Sequence, residues 1–165
     1  MPASLYAIAF GSNRRGRHGG PADEVRAALA AVGDVRAASR IVTSAAMGPS
    51  LRRYANAIAL IESGETPPEL LARLKRIEQQ FGRRRGQRWG ARVIDLDIVA
   101  WSGGVWLSRG LSVPHREFRA REFVLRPFAE IAPRWRDPFT GQSVRQLFVR
   151  LTARAPLPSR APVGS

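Results

Sequence analysis

The chain contains no cysteine, which excludes a disulfide framework and a thiolate zinc site and fits a reducing compartment. No uninterrupted apolar run approaches the roughly 18 residues of a membrane span, and Met1 to Phe10 carry no basic stretch followed by a long apolar one. A cytoplasmic protein without membrane contact is therefore expected. Lysine is nearly missing too: Lys75 stands alone, so the formal charge of +14 is almost entirely arginine. Such an excess attracts polyanions, whether nucleic acid, acidic membrane or nucleotide phosphates, although a coding bias toward arginine would give the same total. Position says more than the sum, because Arg83, Arg84, Arg85, Arg88 and Arg92 crowd into one short segment.

A Walker loop is also missing. Gly11 and Gly16 have its glycine spacing, but Arg17-His18 follows where a Lys and a Ser or Thr would be needed. No Cys or Ser nucleophile with an adjacent His is visible, and no internal repeat. The 165 residues do suffice for one domain with a substantial core. A single domain over 1–151 is predicted, as a monomer by default, with 152–165 as a disordered tail of Pro, Ala, Ser and Arg without periodicity.

Leu5 to Phe10 reads as a buried strand feeding the turn Gly11-Ser12-Asn13, and Arg14 to Gly20 as a basic, glycine-rich loop. Val25, Ala28, Leu29 and Val32 have helical spacing after acidic Asp23 and Glu24, and Gly33 stops the helix. Val35 to Thr43 and Ala55 to Glu62 are candidate strands, separated by a loop over Ser44 to Tyr54 that would form a substrate wall. Thr66-Pro67-Pro68-Glu69 is a capping box with proline in the first turn, ahead of the stripe Leu70, Leu71, Leu74, Ile77 and Phe81. Val93 to Trp101 returns to strand, with Val105 to Leu107 expected to pair back on it across Gly103-Gly104, and a helix is predicted over about Glu122 to Ile131. This order is that of a ferredoxin-like α+β sandwich, an antiparallel sheet with helices mainly on one face and the other left open.

Chemistry concentrates in Val93 to Val99. Strand alternation sends Ile94, Leu96 and Ile98 to one face and Asp95 and Asp97 together to the other. Like charges so placed need arginines or a divalent cation, and hard oxygen donors suit magnesium, which commonly takes one or two carboxylates plus substrate phosphates. The plainer alternative is a solvated sheet face paired with Arg92. Just upstream, the guanidinium forks of the Gly82 to Gly90 segment match phosphate oxygens, so metal carboxylates beside arginines suggest phosphoryl chemistry. Without Asp95 and Asp97, that segment would read better as a solvated basic turn, or as a nucleic-acid contact with Trp89 stacking on a base. The RNP aromatic pattern of an RNA-binding sheet is not found, and the aspartates would repel a nucleic acid. His18 reads as a loop residue without a catalytic role, whereas His115, after Val113-Pro114, could donate to a phosphate oxygen.

These motifs, in this order, resemble the 6-hydroxymethyl-7,8-dihydropterin pyrophosphokinase family of folate synthesis. The resemblance runs from about Tyr6 to Pro133. It rests on Gly11-Ser12-Asn13, Tyr54-Ala55-Asn56-Ala57, Ile77-Glu78, Gly82-Arg83-Arg84-Arg85, Arg88-Trp89-Gly90-Ala91-Arg92, Asp95-Leu96-Asp97-Ile98, Leu111-Ser112-Val113-Pro114-His115 and Arg121-Glu122-Phe123-Val124-Leu125. It implies diphosphate transfer from ATP to the hydroxymethyl group of the pterin, with AMP leaving. It further implies that Asp95 and Asp97 hold two magnesium ions and that Arg83 and Arg92 meet the migrating phosphates. Glu78, Arg85, Arg88, Trp89, Ile98, Ser112, His115 and Arg121 match nucleotide-side positions. Gly11, Ser44, Met47, Tyr54, Asn56 and Phe123 match pterin-side ones, with Tyr54 and Phe123 as the two stacking faces and Asn56 as the amide reading the ring's edge. Read without the resemblance, Tyr54 and Phe123 are ordinary core residues. The stretch Ser44 to Arg53 departs from the family's Tyr-x-Thr-x-Pro-x-Gly pattern, and Arg52-Arg53 stand where acidic and amide residues are usual.

Overall fold

Alternation decides the architecture. In β1 (Ser4–Ser12), Tyr6, Ile8 and Phe10 are buried on one face while Ala7 and Ala9 face the other way. The computed structural model describes residues 2–45, 53–82 and 93–153. After β1 come α1 (Pro21–Val32), β2 (Val35–Ala38), β3 (Val42–Ala45), β4 (Arg53–Ser63), α2 (Pro67–Phe81), β5 (Asp95–Trp101), β6 (Trp106–Ser108) and β7 (Leu111–Val113). A 3-10 turn (Phe118–Ala120), α3 (Glu122–Ile131) and α4 (Val144–Thr152) follow. The main sheet has the order β2-β4-β1-β5, all antiparallel, with β3 also paired to β4. Among the described residues, no helix is long and apolar enough to cross a membrane.

The first helices form where their caps are. Thr66 accepts the Glu69 N–H, and the Glu69 carboxylate returns to the Thr66 N–H, closing the expected box at the start of α2. Leu70, Leu74, Ile77 and Phe81 then pack with Val25, Ala28 and Val32 of α1 onto Tyr6, Ile8, Phe10, Leu96 and Ile98.

The opposite face differs from expectation. Instead of lying open it is partly covered: Phe118, Val124, Leu125 and Phe128, together with Val144 and Leu147 of α4, form a second core on Ala7, Ile58, Val99 and Ala100. Helix α4 was not foreseen, although Ser143 and Gln146 make a capping box. The ferredoxin-like frame thus carries helices over only part of its second face, and the remainder is a cleft.

Two other expectations are corrected. The strand predicted over Val35 to Thr43 is split at Ser39, whose buried hydroxyl accepts the Ile58 N–H at 2.9 Å while its own N–H donates to the Ile58 carbonyl. A side chain replaces one rung of the ladder there, and β3 resumes the pairing beyond it. The segment after Gly104 does not pair back on β5: β6 pairs forward with β7 around Arg109-Gly110, where Gly110 takes φ 80°. The Trp101 ring lies over Gly103, where a Cβ would fall 2.3 Å from it, and Trp101–Gly104 is an isolated bridge. The expected tail falls, beyond Ala153, outside the described residues.

Candidate active site

Two rows of residues run across three strands at the open part of the second face. Asn56, Gly11 and Asp95 are in register, and in the next row Ile58, Ala9 and Asp97. With neighbouring strands about 4.8 Å apart, the outer members of each row stand on the order of 10 Å from one another. Only glycine and alanine lie between them, so β1 is the floor of a trough. A Cβ on Gly11 would come 3.2 Å from Asn56 Oδ1, so a side chain there would press on the amide and shift it by a few tenths of an ångström.

The trough opens into a cavity of about 460 Å³ whose walls include Tyr54, His115, Phe118, Arg121, Phe123 and Val124. Tyr54 is 42% exposed and Phe123 55%. Neither is core, which removes the plain alternative left by their sequence. Both are half-uncovered aromatic faces on one cavity, an arrangement suited to a flat ring. Asp95 and Asp97 are exposed while Leu96 between them is buried, as alternation requires.

The 3-10 turn and the start of α3 supply the remaining polar wall. The His115 N–H donates to the Val99 carbonyl at 2.8 Å, and its Nδ1 accepts the Glu117 N–H at 3.2 Å. A neutral imidazole so bonded carries its proton on Nε2. Arg121 pairs with Glu117 and lies 5.7 Å from the Phe123 ring centre, so it joins the aromatic wall to the polar one.

Not every expected site residue reaches the cavity. Ile98 is 3% exposed in the first core, on the far face from Asp95 and Asp97. Ser112 sits in β7 opposite Leu107. Glu78 is buried, accepts the Leu96 N–H at 3.1 Å and is approached by Lys75 Nζ at 3.4 Å, so it braces the outer edge of β5. Ser44 is paired through its backbone with Tyr54. Met47, Arg83, Arg85, Arg88, Trp89 and Arg92 lie outside the described residues. Asn13, Phe118 and Val124 line the cavity without having been singled out. Asn13 had a signal, since it ends the turn that leaves β1, but the other two are placed only by the packing of α3.

The donor set suits a hard divalent cation that keeps waters and takes substrate oxygens. It offers two carboxylates on one exposed face, and among the described residues no group of three or more Asp, Glu, His or Cys that would cage an ion entirely in protein. Fold and cleft thus define a class: a ferredoxin-like α+β domain with paired carboxylates on one sheet face and two open aromatics, from β4 and α3, on the same cavity, suited to a divalent cation beside a flat ligand.

Comparison with known proteins makes this specific. Residues 7–133 match the model of the 7,8-dihydro-6-hydroxymethylpterin-pyrophosphokinase (HPPK) family. A Synechocystis 2-amino-4-hydroxy-6-hydroxymethyldihydropteridine pyrophosphokinase is 39% identical over 131 residues, covering 79% of this chain and 67% of that protein. Its Haemophilus influenzae counterpart is 37% identical, covering 76% and 79%. Among solved structures, wild-type HPPK-DHPS of Plasmodium falciparum superposes with a TM-score of 0.69 at 12% identity, over 92% of this chain. The chain spans 45% of that longer protein, and this likeness speaks for the fold. The chain belongs to the HPPK family, the pyrophosphokinases of folate synthesis.

Proposed function

We infer that the trough between β4 and β5 is where this chain carries out its family's transfer of diphosphate from ATP to 6-hydroxymethyl-7,8-dihydropterin. The observation that carries this is the row pattern: Asn56 and Asp95 flank Gly11 while Ile58 and Asp97 flank Ala9, beneath two half-exposed aromatics. The pterin lies between Tyr54 and Phe123, and the Asn56 amide, which has both donor and acceptor, reads the polar edge of the ring. Gly11 keeps that amide free to do so. The ring's hydroxymethyl arm then points across β1 toward β5.

Asp95 and Asp97 would hold magnesium, two ions being expected, which when bound neutralises triphosphate charge and orients the acceptor oxygen. His115, with its proton on Nε2, and Arg121 donate to phosphate oxygens from the α3 side. Arg83 and Arg92 complete the cationic set by resemblance to the family. The hydroxymethyl oxygen attacks the β-phosphorus and gives up its proton to solvent, the bond from that phosphorus to the oxygen bridging to the α-phosphate breaks, and AMP leaves carrying that oxygen. Such a transfer depends on positioning and charge neutralisation more than on covalent help from the protein.

Purified protein with ATP, magnesium and the hydroxymethyl pterin should form AMP only when the pterin is present. AMP release that ignores the pterin would assign a different acceptor, and no AMP at all would reject the reading.

A further inference from the structure

On the α3 side of the cleft, the lining side chains recur at every third position: His115, Phe118 and Arg121. The backbone between them is held by bonds of the 3-10 kind, from the Phe118 N–H to the His115 carbonyl at 3.3 Å and from the Ala120 N–H to the Glu117 carbonyl at 3.0 Å. A chain wound with about three residues per turn presents one row of side chains to the cleft and turns the others away. Glu117 joins the two polar members of the row, its N–H donating to His115 Nδ1 and its carboxylate accepting from Arg121. His115 and Arg121 are therefore placed together, by whatever places the turn.

A short 3-10 run has poor hydrogen-bond geometry and does little to hold itself. Arg119, which points away from the cleft, supplies the hold. Its Nε and Nη2 donate to the two carboxylate oxygens of Asp137, the second at 2.6 Å, and its guanidinium lies 4.6 Å from the Phe118 ring centre and 5.5 Å from that of Phe139. Asp137 is 1% exposed and sits in a turn closed on itself, its N–H donating to the Gln142 carbonyl at 2.9 Å and its carbonyl accepting from the Gly141 N–H at 2.8 Å. The Thr140 hydroxyl and the Phe139 N–H also donate to its side chain. That turn leads into Ser143, the cap of α4, and Val144 and Leu147 seat α4 in the second core. A buried carboxylate with this many donors defines one geometry for its arginine.

We propose that Arg119 and Asp137 are positioning residues for the nucleotide side of the transfer reaction, holding the turn that sets His115 and Arg121 at the wall of the cleft. This rests on the reading that those two side chains donate to phosphate oxygens. Neither Arg119 nor Asp137 lines the cavity. Phe123 depends on the clamp less, because α3 is seated by the buried Val124, Leu125 and Phe128. Loosening the clamp should therefore separate the two substrates, weakening the nucleotide and sparing the pterin.

The test is Arg119→Lys, which keeps the charge but cannot make two parallel bonds or lie flat between two rings. Titration with ATP and magnesium should show a dissociation constant raised by about 3- to 10-fold per folded molecule, part of the worth of a charge-assisted hydrogen bond. Pterin affinity should stay within about twofold, with the folded fraction measured by circular dichroism. In a chain already carrying His115→Ala and Arg121→Ala, the same substitution has nothing left to act through, and nucleotide affinity should change by less than about 1.5-fold. Thr140→Val takes one donor from Asp137 and leaves Arg119 intact, so it keeps the test available if Arg119→Lys folds poorly; it should weaken nucleotide binding by about 2- to 3-fold. Wild-type nucleotide affinity in the folded variants, a loss shared equally by the pterin, or a loss undiminished in the His115→Ala Arg121→Ala background would each overturn the assignment. If the wild-type chain itself forms no pterin-dependent AMP, the functional reading has failed. If it turns over and folded Arg119→Lys binds nucleotide equally well, only the positioning role has failed.

Discussion

Strand β1 presents one kind of face to the helices and another to the cleft. Toward α1 and α2 it offers Tyr6, Ile8 and Phe10, all at most 1% exposed. Toward the other side it offers Ala7, Ala9 and Gly11; Ala7 is fully roofed by the α3 and α4 core and Ala9 only partly. Bulk builds stability on one side, and its absence makes a binding trough on the other. A central strand can do both because successive side chains point in opposite directions. Removing Phe10 and removing Asp97, which neighbours Ala9, should therefore damage different properties.

Phe10→Ala is the larger change. Deleting a buried aromatic loses transfer energy and leaves a cavity, costing about 3–5 kcal/mol, a large part of the roughly 5–15 kcal/mol that holds a typical domain together. Urea unfolding should show that loss in the midpoint, while the folded fraction retains wild-type kcat. A folded variant with unchanged midpoint but lost turnover would dissolve the contrast between the faces.

Asp97→Ala, and Asp95→Ala with it, should do the reverse. The exposed Asp97 carboxylate contributes little packing, so the urea midpoint of Asp97→Ala stays near wild type. Pterin-dependent AMP formation should fall by about 100- to 1000-fold, the usual cost of removing one preorganised electrostatic group, and calorimetry should show cation-assisted nucleotide binding weakened in step. Full activity in either variant would remove the carboxylates from the site.

Much of this contrast was legible in the residues themselves. The alternation of Ile94 to Ile98 placed both aspartates correctly, and the box at Thr66 fixed α2, because strand period and helix caps are local properties. What failed to show was tertiary. The closure of the second face depends on α4, whose short apolar stripe says nothing of where it docks. The pairing of β6 with β7 rather than with β5 is a choice of partner that local pattern does not make. Tyr54 and Phe123 read as core because aromatic residues usually are, and only the gap between α3 and β4 uncovers them. Ser39 split a strand by satisfying Ile58 through its side chain, which periodicity does not register.

The border between the roofed and open halves can be loosened at Asp137. Its buried carboxylate accepts from Arg119 Nη2 at 2.6 Å, from the Thr140 hydroxyl at 2.8 Å and from the Phe139 N–H at 3.1 Å, which fixes the 3-10 turn that brings Phe118 to the cleft. Burial alone would raise its carboxyl pKa, but Arg119, Thr140 and Phe139 together outweigh burial and hold it below the usual range. A depressed folded value means that the stabilisation is complete above the unfolded pKa, near 4 by about half a unit, and is lost as pH falls through the folded value. Asp137→Asn should lower stability at pH 7 by about 1.5–3 kcal/mol, as for a hydrogen bond to a charged group. Its melting temperature should then fall less steeply than that of wild type below about pH 4. Parallel acid limbs would show that Asp137 does not titrate with unfolding.

The smallest expected effect concerns the two aromatics that the cleft leaves uncovered. Because Tyr54 and Phe123 have no core to support, Tyr54→Ala and Phe123→Ala should leave the urea midpoint within about 0.5 kcal/mol of wild type, as for surface substitutions. A ring stacked against an aromatic gains about 0.5–1.5 kcal/mol beyond its buried area, so each variant should weaken pterin binding by about 2- to 12-fold while leaving nucleotide binding unchanged. Phe123 adds one complication, since Arg121 lies against its ring. Truncating Phe123 takes the ring from beside that guanidinium while Glu117 still pairs with it, and a change in nucleotide affinity there but not in Tyr54→Ala would locate the junction between the pterin and phosphate halves at Arg121. Equal pterin affinity in both variants would show that the ring binds elsewhere, and would leave the trough with its carboxylates alone.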